Sequence, residues 1–63
     1  MNAFIATIIW HDMLFAKTIE GEVWRFWFDG AGYPLAEKLT GLNPDYRAPL
    51  ALLNAKVEFL RGR

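Results

Sequence analysis

Cysteine and serine are missing from this 63-residue chain, histidine occurs once, and seven basic side chains are cancelled by seven acidic ones. Each shortage removes a class of function. Without cysteine there is neither a disulfide framework nor a thiolate metal cage, and one histidine cannot supply the ligands of a structural zinc site. No metal and no cofactor is expected. Without serine, the adjacent His11 and Asp12 have no serine nucleophile to activate. Neighbours in sequence do not face one another in a strand, so the pair reads as a polar turn and no catalytic set is expected. An enzymatic role is left only to a subunit that completes a site on another chain.

Charge of one sign is lacking too. A net charge of zero, with both signs dispersed, leaves no footprint for neutralising phosphates. With 54% apolar residues the chain is also neither an acidic mimic nor a disordered tail. Nor is there a long apolar run. The stretch from Ala3 to Ala16 is split by His11 and Asp12 and falls short of the roughly 20 residues a spanning helix needs. No basic residue precedes Lys17, and no small-residue cleavage site follows the run cleanly. Neither a membrane span nor a secretory leader is expected, and the expected location is cytoplasmic.

What is present is a single small domain, 1–63, that changes character near residue 29. Seven of ten aromatic residues lie in 1–29, whereas seven of eight leucines and five of eight alanines lie in 30–63. The first part reads as an aromatic, β-rich half and the second as a helical half. A chain this short buries only about 60% of the surface it exposes when unfolded, and its crude energy balance comes out near zero. Without cross-links, association with a second chain is the expected source of additional stability.

In the first half, Phe4 to Trp10 reads as a strand turned back by His11 and Asp12. Glu20-Gly21 then reads as a tight turn between Ile19 and Glu22, pairing Thr18 with Val23, Phe15 with Phe26 and Met13 with Phe28. The alternative is a helix over 3–19, capped by Asn2 and closed by Gly21. It would put Asp12 in its apolar face, and enrichment in Ile, Thr, Phe and Trp favours strands. Val23 to Phe28 is a strand in both readings.

In the second half, Asp29-Gly30-Ala31-Gly32-Tyr33 reads as a loop from strand to helix. It lacks the third glycine of a dinucleotide fingerprint and the Gly-Lys-Ser/Thr of a phosphate loop. Pro34, Leu35, Ala36 and Leu39 then predict a short helix over 34–40, ended by Gly41. Asn43 and Pro44 start a turn or 3₁₀ segment that Pro49 limits. From Pro49, Leu50, Leu53, Val57 and Leu60 recur at helical spacing up to Gly62. The apolar arc of this helix, widened by Leu52, Ala55 and Phe59, exceeds what one covering surface needs.

The fold class that follows is a small α+β domain. An N-terminal antiparallel β-hairpin or three-stranded meander packs against a C-terminal amphipathic helix, with one short helix besides. Its expected core is Phe15, Phe26, Ile8, Leu39, Leu50, Leu53, Val57 and Leu60.

The segment Val23-Trp24-Arg25-Phe26-Trp27-Phe28 carries most of the functional information. Alternation puts Trp24, Phe26 and Phe28 on one face and Val23, Arg25 and Trp27 on the other, so both faces are aromatic. One helical layer covers one face. The other is read as an association surface built from Trp10, Leu14, Trp24, Arg25 and Trp27, since Trp and Arg commonly anchor binding energy. Three accounts compete with this. One is screening of that face by Leu14, Ile9 and loop residues, and another is a small ligand between sheet and helix. The third is a platform for single-stranded nucleic acid on Trp27 and Arg25. Against the platform, Lys17, Arg25, Lys38, Arg47 and Lys56 form no run, and Arg61-Gly62-Arg63 is too short for an arm. The expected function is a non-enzymatic protein-interaction module, homodimeric, acting as a small regulator or inhibitor of a larger intracellular partner. A nucleic-acid-binding accessory protein is the alternative.

Overall fold

The computed structural model describes residues 3–41 and 43–62; Asn2 and Arg63, named above, lie outside the described residues. Four strands follow one another as an antiparallel meander in the order β1-β2-β3-β4. They are β1 (Phe4–Trp10), β2 (Met13–Thr18), β3 (Val23–Phe28) and β4 (Pro34–Leu39). A 3₁₀ turn, Pro44–Tyr46, leads into helix α1 (Arg47–Arg61), which lies over β1 and β2. The fold is α+β, and residues 4–18 form strands rather than the alternative helix.

Local chemistry accounts for most of these boundaries. His11 and Asp12 form a two-residue turn between the paired Trp10 and Met13. His11 adopts φ 54 there, a left-handed conformation that histidine enters more readily than most residues. Asn43 caps the 3₁₀ turn by accepting the Asp45 N–H at 2.9 Å, and Gly62 closes α1.

The β2–β3 hairpin differs from the sequence reading. Its loop has three residues, Ile19-Glu20-Gly21: the Gly21 N–H donates to the Thr18 carbonyl, the Thr18 N–H donates to the Glu22 carbonyl, and Gly21 takes φ 93. This is a type I turn completed by a left-handed glycine. The buried Thr18 hydroxyl also accepts the Glu22 N–H at 3.0 Å. The register therefore slips by one. Phe15 pairs with Arg25 and Leu14 with Phe26, in place of Phe15 with Phe26. A slip of one residue transfers every side chain of β3 to the opposite face.

Residues 34–40 are also not a helix. They form β4, so the strands extend well past residue 29 and the helical half begins only after residue 41. Gly30-Ala31-Gly32 repeats the three-residue loop, with Gly32 at φ 87 and the Asp29 carboxylate accepting the Ala31 and Tyr33 N–H groups at 2.9 Å. The loop turns the chain directly onto the edge of β3, whose backbone groups need partners. Cross-strand ion pairs, Arg25–Glu37 at 3.4 Å and Lys38–Glu22 at 2.9 Å, then outweigh the helical propensity of Leu, Ala, Glu and Lys. Pro34 is tolerated as the first residue of an edge strand.

The core lies between α1 and the sheet face that bears Ala6 and Phe15, closed by Leu53 and Val57. Ile8, Trp10, Met13, Val23, Leu39 and Tyr46 pack around it. Two expected core residues are elsewhere. Phe26 is on the opposite face because of the register slip, and Leu60 is 44% exposed on the last turn of α1, beyond the cover of β1 and β2. Leu50 is half-buried at the margin.

Candidate association surface

Register and alternation divide the strand residues between two faces. The helix side carries Lys17, Arg25 and Glu37 among its apolar residues. Lys17 Nζ donates to the side-chain Oδ1 of Asn54 on α1 at 3.0 Å, and Arg25 pairs with Glu37. On the open side the strands carry a single charged residue, Lys38, and it is neutralised by Glu22. The helix thus covers the more polar face of the sheet and leaves the more apolar one uncovered.

The sequence-chosen residues do not form one surface. Trp10, Arg25 and Trp27 belong to the helix side, whereas Leu14 and Trp24 belong to the open side; all five are half-buried. Arg25 is held within the fold. Its guanidinium carbon lies 3.6 Å from the Trp27 ring centre and 5.3 Å from that of Tyr46, and its Nη1 contacts Met13 Sδ at 3.5 Å. Such stacking of a cation on aromatic rings is favourable. The ring face of Trp27 under Arg25 is therefore occupied, which takes away the platform that these two residues would offer a nucleobase.

At one end of the open side an aromatic plate lies over small residues. Phe4 meets Phe26 edge-on at 5.8 Å, and Trp24 stacks beside Phe26 at 6.5 Å. Beneath these rings Ala16 and Thr18 are fully buried. Their small side chains leave room for the rings to fold down. The Trp24 indole N–H donates to Glu22 Oε1 at 3.4 Å. Hydrogen bonds from Lys38 and then from Trp24 hold the Glu22 carboxyl below its usual range, since both favour its charged form.

At the other end, beside the His11-Asp12 turn and the start of β4, a groove of about 370 Å³ opens. Ile9, Leu14, Phe26, Phe28 and Pro34 line it from the open side and Met13, Trp27 and Leu35 from the helix side, with His11 and Asp12 at the turn, so the groove spans the end of the sheet. Ile9 is 77% exposed and Phe28 71%. Large apolar side chains at that exposure, grouped on one face, mark an interaction surface more often than a monomer's ordinary exterior.

Sequence reasoning missed Phe26 and Phe28 as surface residues because it used a two-residue β2–β3 loop. The signal was present: Thr18 and Asp29 each stand three residues before a glycine, with a side-chain oxygen to accept a loop N–H. Among the described residues no group of three or more His, Asp or Glu is placed to hold a metal ion. No helix among them is long and apolar enough to cross a membrane. No family model, curated protein or solved structure matches the chain.

Proposed function

We propose that the chain is a non-enzymatic protein-interaction module that works by docking the open face of its sheet onto another protein chain. The observation that carries this reading is the distribution of charge: the strands bear three charged residues on the side where α1 packs and one, already paired, on the open side. A face whose strands carry no unpaired charge selects a partner by shape and desolvation, as the cores of protein interfaces do. The same lack of cations gives no support to docking on a phosphate backbone.

Site-specific photo-crosslinking tests the reading in the native host. A photoreactive phenylalanine analogue at position 28 is expected to give discrete protein adducts that disappear when Leu14→Asp is added. The same analogue at Tyr33, outside the groove, is expected to give none. Absence of adducts at position 28, or equal labelling from both positions, contradicts the reading.

A further inference from the structure

We infer that the occupant of the open face is a second copy of this chain, packed face to face so that the Phe28 ring of each copy fills the groove of the other. The inference rests on the preceding reading of that face and names its partner.

A second copy can add to a sheet either at an edge or on a face, and both edges are obstructed. Trp10 and Met13 flank a two-residue turn, which makes them a hydrogen-bonded pair and turns the backbone groups of Ile9 and Thr7 outward. The Thr7 carbonyl is already taken by Lys56 Nζ of α1 at 2.7 Å. Further along the same edge, the register shifts between Phe4 and Ala6 in a bulge. On the other edge, Asp29 donates to the Tyr33 carbonyl, so the outward positions of β4 are Pro34, Ala36 and Lys38. Proline presents no N–H, and an edge lysine opposes strand addition. Pairing through an edge would engage few bonds.

The face has what the edges lack. Its charge is internally cancelled, so it is neutral towards a copy of itself, as a two-fold interface requires. Four strands about 4.8 Å apart and about 20 Å long make a patch of about 400 Å² before side-chain relief is added, below the roughly 600 to 1,000 Å² that each partner of a standard interface buries, so the dimer is expected to form at the upper end of the micromolar to sub-millimolar range. The total exposed surface of 4795 Å² also exceeds the about 4,200 Å² expected of a 7.3 kDa monomer.

The relief selects one arrangement. The groove and the exposed Phe28 lie at the same end of the sheet. A two-fold axis running along the strands, midway between β2 and β3, brings those ends together and lays β3 over β2 of the other copy. Phe26 then stands over the partner's Leu14, and Phe28, two residues further along, stands over the His11-Asp12 end of the partner's groove. An apolar cavity of about 150 Å³ accepts a benzene ring; the 370 Å³ groove accommodates a phenyl group with space for a branched neighbour. The result is an eight-stranded sandwich whose sheets are about 10 Å apart.

Sedimentation over the micromolar to sub-millimolar range tests this. The native chain is expected at twice the monomer mass at the upper end of that range. Phe28→Asp and Leu14→Asp are each expected to weaken association at least about thirty-fold, and Leu52→Asp on α1 is expected to leave it unchanged. Circular dichroism verifies that each variant is folded; Phe28 is exposed, so its replacement spares the core. A dimer that survives Phe28→Asp overturns the inference. A native chain that stays monomeric also overturns it, and binding of an anilinonaphthalene sulfonate dye then separates the two levels. Dye that binds the native monomer but not Phe28→Asp leaves the face open for a different protein, so the interaction reading stands; no binding removes both.

Discussion

Phe15 and Ile19 are adjacent in type and opposite in consequence. Phe15 is fully buried beneath α1, whereas Ile19 is exposed in the β2–β3 loop. Truncating a buried phenylalanine costs about 3 to 5 kcal/mol. A chain of this size has about 3 to 9 kcal/mol in total, at roughly 0.05 to 0.15 kcal/mol per residue. Phe15→Ala is therefore expected to leave little folded protein in urea titrations followed by tryptophan fluorescence, and Ile19→Ala to shift the curve by less than about 0.5 kcal/mol. Glu22 gives a second residue-level expectation. Its folded carboxyl titrates below the usual value of 4.5 because Lys38 and Trp24 bond its charged form. That contribution to stability is complete above the usual carboxylate range and is lost as pH falls through the lowered folded value. Between pH 6 and pH 3 the native chain should lose stability more steeply than Glu22→Gln, read as the difference between their thermal midpoints at each pH.

The hairpin loops determine which strand face meets the helix. Gly21 and Gly32 hold φ 93 and 87, and a Cβ at either position would meet nothing within 4 Å. The cost of alanine there is one of backbone conformation alone, about 1 to 2 kcal/mol. Gly21→Ala and Gly32→Ala should each lower the melting temperature by several degrees, and asparagine at the same positions by less; equal melting temperatures would remove the glycines from the account. These loops also explain what could be read in advance. β1, its two-residue turn, β3, the 3₁₀ segment and α1 were legible because each is specified by local pattern: β-branched alternation, a polar pair, or a proline with an asparagine cap. The facing of β3 was not, because it depends on whether the loop after Thr18 holds two residues or three. The strand over 34–39 was hidden for a different reason. Its sequence favours helix, and the groups that overrule it, Arg25, Glu22 and the edge of β3, are at least six positions away. The five residues chosen for the surface could not share one face in any register, because alternation sets Trp24 opposite Arg25 and Trp27; Leu14 and Trp24 lie on the open face, and Trp10, Arg25 and Trp27 on the helix side.

As a whole molecule, the chain is folded inside out with respect to its sheet. The side of the sheet on which α1 packs accommodates Lys17, Arg25 and Glu37 through Asn54, Tyr46 and cross-strand pairing, and the opposite side is almost wholly apolar. Such an arrangement is wasteful for an isolated monomer, since each exposed apolar Å² forgoes about 25 cal/mol of burial. It is economical for a chain that completes its core by association, which returns stability to a domain too short to be comfortable alone. The most direct measurement is an isotope-filtered nuclear Overhauser experiment on an equal mixture of labelled and unlabelled chains. Cross-peaks are predicted between Phe26 ring protons of one chain and the Leu14 methyl groups of another, and between Phe28 ring protons and the His11 ring. Intermolecular cross-peaks confined to α1 or to the β4 edge, or their absence at millimolar concentration, would contradict the account.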